Sequence, residues 1–159
     1  MAEITTVEEK LAEVTGLAQA AQGTIEKVSP LIEDQTVSEA LEKMKAEAEE
    51  TEERCTSLID KREGKKTAIL DKARETKQEA TEMMSTYLGS DSDGLDGLEF
   101  MTMAEAGEVG HWAILGKLSG RAGETELEEL AQWALPIQER HLDEVREGSL
   151  TLAGQVDPQ

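Results

Sequence analysis

The chain has 159 residues, with 35 Asp and Glu against 16 Lys and Arg and a formal net charge of −19 at pH 7. A surface this acidic repels nucleic-acid phosphate and anionic lipid, and no basic patch offsets it, which excludes nucleic acid and the membrane surface as main partners. Apolar residues make up 38 % and aromatic ones only 3 %, so the interior is built from Ala, Leu, Ile, Val and Met, which pack helices well, and the expected fold is all-α.

The length fits a single domain over 1–159, with a tail at 154–159. The opening stretch MAEITTVEEKLAEV has neither the basic region nor the apolar stretch of an export signal, and no segment approaches the roughly 20 apolar residues of a membrane span. A cytoplasmic protein is therefore expected. Cys55 is the only cysteine, which fits a reducing compartment, and its apolar helical phase predicts a buried packing role. The acidity also suits a saline cytoplasm, where dense carboxylates keep a protein hydrated.

In chain order, Ile4, Val7, Leu11, Val14, Ala18, Ala21, Ile25, Val28 and Ile32 alternate spacings of three and four, the seam of a long first helix that Pro30 ends. Val37, Leu41, Met44, Ala48, Thr51, Cys55 and Leu58 repeat the pattern, and TVSE reads as a capping box with Thr36 as N-cap and Glu39 three residues on. This second helix ends near REGKK, where Gly64 either breaks the chain or softens one longer helix. A third stripe, Ile69, Ala73, Thr76, Ala80, Met83 and Tyr87, lies on a helix from about Lys65 to Leu88.

Gly89 to Gly97, GSDSDGLDG, consists largely of turn formers and acids and reads as a solvated loop. It lacks the alternating ligands and terminal Glu of a calcium-binding EF-hand. Two further helices are expected from about Leu98 to Gly120 and from about Glu124 to Ala153, the last kinked or opened at Pro136. Long seams joined by short loops predict an antiparallel four-helix bundle with an additional or broken helix.

The residues with chemistry sit on the last two helices. Met101, Ala104, Glu108, His111, Leu115 and Leu118 alternate three and four, which places Glu108 and His111 on the core face. Leu127, Ala131, Ala134, Gln138, His141, Val145 and Gly148 do the same for His141, with Glu144 one turn on. A Glu and a His three residues apart share a helix face and can offer an oxygen and a nitrogen to one ion. Ions inside a bundle need further carboxylates to neutralise them, and Glu52 and Glu47 on the second helix are the candidates. The alternative is that each histidine is neutral and hydrogen-bonded within the core.

Trp112 and Trp133 read as packing anchors. Gly107, Gly110, Gly116 and Gly120 read as sites of close helix approach or as room for a ligand beside His111. No Ser or Cys is coupled to a His in a recognisable pattern and no Gly-rich phosphate loop follows a strand, which argues against a hydrolase or nucleotide enzyme.

The segments SEALEKMKAEAEETEERCTSLID, REGKKTAILDKARETKQEATEMM, EAGEVGHWAILGKL and ELEELAQWALPIQERHLDEV give the chain a resemblance to the ferritin-like superfamily, and within it to the YciF-like bacterial stress proteins. It departs from that pattern in having Gly110 where relatives place a Glu before the histidine. EAEETEER carries no histidine, and Gln138 stands where the second Glu-x-x-His pair needs its Glu. The resemblance implies a ferritin-like bundle, often a homodimer, linked to stress response, with iron or manganese as a di-metal centre for oxidase or peroxide-detoxifying activity. Its metal ligands would be Glu108, His111, His141, Glu144 and Glu52. The competing reading is a non-catalytic dimeric bundle with a metal-free polar core and a structural or interaction role in stress tolerance.

Overall fold

The computed structural model describes residues 2–159, and among these all regular structure is helical. Five α-helices follow one another: α1 (Thr6–Val28), α2 (Gln35–Asp60), α3 (Lys66–Tyr87), α4 (Gly94–Ala122) and α5 (Thr125–Ala153). A single 3-10 turn, Ser29–Leu31, carries Pro30 just past the end of α1, where its missing N–H costs nothing. Among the described residues no helix is long and apolar enough to cross a membrane.

The helix ends follow local chemistry, in places offset from the sequence expectation. Asp34, not Thr36, caps α2, its carboxylate accepting from the Val37 amide at 3.0 Å. The acids expected to be solvated loop are partly helix: Asp93 and Asp96 form a reciprocal capping box that starts α4 at Gly94. Gly64 breaks the chain between α2 and α3 at φ +75°, a conformation only glycine adopts without strain. Pro136 sits inside α5 without ending it.

Side-chain pairs fix the directions of the helices. Gln19 and Gln22 reach Glu52, and Glu8 reaches Arg62, so α1 and α2 are antiparallel. Glu47 meets Arg140 while Lys61 meets Glu126, so α2 and α5 are antiparallel too. Thr102 beside Ser149 and Gly116 beside Ala131 set α4 against α5 in the same sense, and Val28 on Gly97 sets α4 against α1. These four helices close a ring, α1–α2–α5–α4. Helix α3 carries the chain from α2 to α4 along the outside of α1 and parallel to it, and Gly16 permits the approach: a Cβ there would lie 2.3 Å from the Ala73 carbonyl oxygen.

Enclosed by α2, α3 and α4, α1 is buried around most of its circumference, Ala12, Thr15, Gly16, Ala20 and Thr24 included. Helix α3 differs. Its first half buries Ala68, Ile69, Ala73 and Thr76, but Met83 and Tyr87, expected on its inner stripe, are exposed. Helix α1 is its main neighbour, and its C-terminal end packs through Met84 and through Tyr87 against the Phe100 ring.

The core divides along the bundle axis. One apolar cluster holds Leu11, Cys55, Ile59, Ile69, Trp112, Leu115 and Leu127, and a second holds Ile25, Val28, Leu41, Met44, Leu98, Met101 and Val145. On each helix of the ring the residues between the two clusters form a separate layer, where Glu105, Glu108, Gln138 and His141 are buried.

Candidate functional site

In that middle layer α4 contributes Glu105 and Glu108, and α5 contributes Gln138 and His141, all at most 4 % exposed. At the same level α1 offers Ala18, and α2 offers Ala48 and Thr51. The fully buried acids and their partners thus come from two helices, faced by small side chains from the other two, with Glu47 of α2 at the edge of the layer.

Gln138 ties the layer together. In the orientation that gives its amide nitrogen acceptors, it donates to Glu108 Oε2 at 2.9 Å and to Glu105 Oε2 at 3.3 Å. Among the described residues no Lys or Arg reaches either carboxyl group. Burial pushes both upward from the ordinary carboxylate range, and Glu108 rises further because Glu105 stands beside it. Burial thus favours the neutral carboxylic acid over the carboxylate at both.

His141 lies between two carboxyl groups on different helices. Its Nε2 is 3.2 Å from Glu47 Oε1 on α2, and its Nδ1 is 3.9 Å from Glu105 Oε2 on α4. Burial draws the imidazole below its usual value, with Glu47 opposing, so the neutral ring donates from Nε2 to Glu47. A bidentate pair with Arg140 holds Glu47 ionised: the guanidinium hydrogen bonds outweigh the effect of burial, and His141 adds to them.

The five residues proposed as ligands do not converge. His141 is in the layer and Glu108 is near it, held by Gln138. His111 is not: its side chain is 40 % exposed, its Nδ1–H donates to the Gly107 carbonyl at 2.8 Å, and Nε2 lies 3.6 Å from Glu13 on α1. Glu52 faces α1 and accepts from Gln19 and Gln22, each at 2.9 Å. Glu144 leans on Arg140 at 3.5 Å, its other oxygen buried without a hydrogen-bond partner among the described residues.

The displacement of His111 has a simple origin. The observed seam of α4 runs Met101, Glu105, Glu108, Trp112, Leu115, Ser119. It shares Met101, Glu108 and Leu115 with the sequence reading and is shifted by one residue at the alternate positions. Both phasings satisfy a three–four alternation, and the larger apolar side chain, Trp112, takes the core position that His111 then leaves. Burial of the tryptophan is the signal in the sequence that points to Glu105. Gly107 and Gly110 make no close helix contact, since a Cβ on either would meet nothing. Gly116 does pack closely, with Ala131.

Beside the layer lies a cavity of about 370 Å³, floored by α1 and walled by α3 and α4. Leu17, Ala21, Ala80, Met83, Phe100 and Met101 line it, and Glu105 and Glu108 form part of its inner wall. Two of its lining residues, Met83 and Met103, are exposed to solvent.

Cys55 is fully buried, and burial pushes its thiol up to about 12, so it packs and does not react. Among the described residues no three His, Cys, Asp or Glu side chains are grouped so as to hold an ion. No protein-family model and no curated protein matches this chain.

Proposed function

We propose that this chain is a ferritin-like bundle that works without a metal ion, a non-catalytic member of that architecture whose interior polar layer serves structure and binding. The ring of four helices with one long connection between its second and third members, here occupied by α3, is the arrangement that such a bundle requires. The stress-tolerance setting implied by the YciF-like resemblance goes with this reading.

One observation carries it. A carboxylate-bridged metal pair draws ligands from all four helices, whereas at the level of Glu105, Glu108 and His141 helix α1 presents Ala18, and the α2 carboxylate that reaches His141, Glu47, is already paired with Arg140. The remaining groups do not fit an ion either. The two nitrogens of His141 face carboxyl groups on opposite edges of the ring, Arg140 already neutralises Glu47, and Gln138 occupies the position between Glu105 and Glu108. Such a layer, cross-linked by Gln138 and by the Glu47 contact of His141, separates two apolar clusters and fixes the register of the helices.

The test is metal analysis of protein purified without chelator, followed by titration with Mn²⁺ and with Fe²⁺ under anaerobic conditions. The expected result is no stoichiometric ion and no iron-oxidase or peroxide turnover above that of buffer. An ion bound at one or two per chain, and lost in His141→Ala and Glu105→Gln variants, overturns the proposal.

A further inference from the structure

The cavity between α1, α3 and α4 has a volume, about 370 Å³, within the range of small-molecule sites. Its walls are mostly apolar, and Met83, Met101 and Met103 supply unbranched side chains that can follow the outline of a guest.

The polar complement of the cavity is one-sided. Glu105 and Glu108 are 97 % and 96 % buried by the complement of their 3 % and 4 % exposure. Each commits Oε2 to Gln138, and both side chains line the cavity. The hydroxyls of Thr24 and Thr76 already donate to the carbonyls of Ala20 and Lys72, and so offer the cavity lone pairs alone. Among the described residues the lining includes a third glutamate, Glu79, and no Lys or Arg, with His111 as its single basic side chain. A guest that satisfies such a wall brings hydrogen-bond donors, positive charge and an apolar body. A carboxylate guest would meet two buried carboxyl groups with no cation to balance it.

We propose that this cavity binds a small primary amine, with its ammonium group between Glu105 and Glu108 and an alkyl or aryl body, of the size of a hexyl or phenylethyl group, lying along Met83 and Phe100. The ammonium takes the place of a carboxylic proton, which passes to solvent, so the buried charges appear as a pair. The net charge of −19 concentrates such cations at the surface before they enter. The assignment rests on the metal-free reading of the layer, because an ion on Glu105 and Glu108 would exclude the amine.

The test is calorimetric titration of the full chain with n-hexylamine, hexan-1-ol and hexanoate in moderate salt, which screens adsorption to the acidic surface. One hexylamine per chain should bind, the alcohol at least about tenfold more weakly, which is about 1.4 kcal/mol, and hexanoate not at all. Glu105→Gln/Glu108→Gln should weaken the amine by about tenfold or more, and Ala104→Phe, which fills the cavity from α4, should abolish binding with the helical circular dichroism unchanged. Equal binding of alcohol or acid, undiminished binding in either folded variant, or no amine binding to the metal-free chain overturns the assignment. Should the double variant lose its helical signal, nuclear Overhauser contacts between hexylamine and the Met83 and Met103 methyls decide: their presence supports the site and their absence overturns it. A stoichiometric metal in the purified protein marks failure of the metal-free reading instead, so the two failures are distinct.

Discussion

Two places in this molecule bury glutamate, and they treat its charge in opposite ways. At one end of the bundle Glu8 is 1 % exposed, yet Lys65 reaches its Oε1 at 2.9 Å, Arg62 its Oε2 at 3.3 Å, and the Thr5 amide donates to it from the cap of α1. Burial alone would raise Glu8, but the Thr5 amide and Lys65 together hold it below its ordinary value of 4.5. In the middle layer Glu105 and Glu108 meet the amide of Gln138, each other and the neutral ring of His141, with no Lys or Arg among the described residues in reach, and both rise. Similar burial therefore gives an ion in one place and an acid in the other, and the difference is the presence of a cation within reach.

The consequences for stability are opposite in sign. The contribution of Glu8 is fully present above pH 4.5 and is lost as the pH falls through its lowered folded value. The contribution of Glu105 and Glu108 is fully present below pH 4.5 and is lost as the pH rises through their raised folded values.

The largest expected effect comes from making the first place resemble the second. Arg62→Met/Lys65→Met strands Glu8, and urea unfolding at pH 7 should show a loss of about 3–5 kcal/mol, shrinking toward pH 4 as Glu8 takes a proton. A loss independent of pH would show that the cations matter for packing alone. Next, Glu105→Gln/Glu108→Gln should raise stability at pH 8 by roughly 1–3 kcal/mol relative to its effect at pH 4.5, read as a flatter curve of stability against pH. An unchanged slope would mean that the two acids ionise normally.

A smaller loss, about 1–2 kcal/mol, is expected of Gln138→Leu, which removes the donor that Glu105 and Glu108 share; hydrogen exchange of the α4 amides checks whether it is local. The smallest effect belongs to His111→Ala, which should change the midpoint of unfolding by less than about 0.5 kcal/mol and leave the pH curve unaltered. A larger change would place His111 in the layer after all.

Much of this was legible in the sequence, unevenly. The seam of α5 is buried at every expected position from Leu127 to Gly148, because its apolar residues and its two polar ones admit a single phase. The seam of α4 admits two, and Glu105 was missed because Ala104 and Glu105 are both compatible with Met101 three or four residues back. Glu47 lies on the flank of the apolar stripe of α2, where periodicity assigns no partner. Its pairing with Arg140 and His141 depends on residues 93 and 94 positions away in the chain. The C-terminal half of α3 continues the three–four stripe in sequence, yet Met83 and Tyr87 are exposed, Tyr87 resting with one face on Phe100.

The sequence by itself determined that the chain is helical, where most helices begin and end, and which face of α2 and α5 turns inward, since these follow from propensity, capping and period along one segment. The tertiary structure decided which glutamates are ions and which are acids, which histidine is buried, and where a cavity opens. Those properties are set by groups from different helices meeting within a few ångströms in a low-dielectric interior, and the sequence states no such distance.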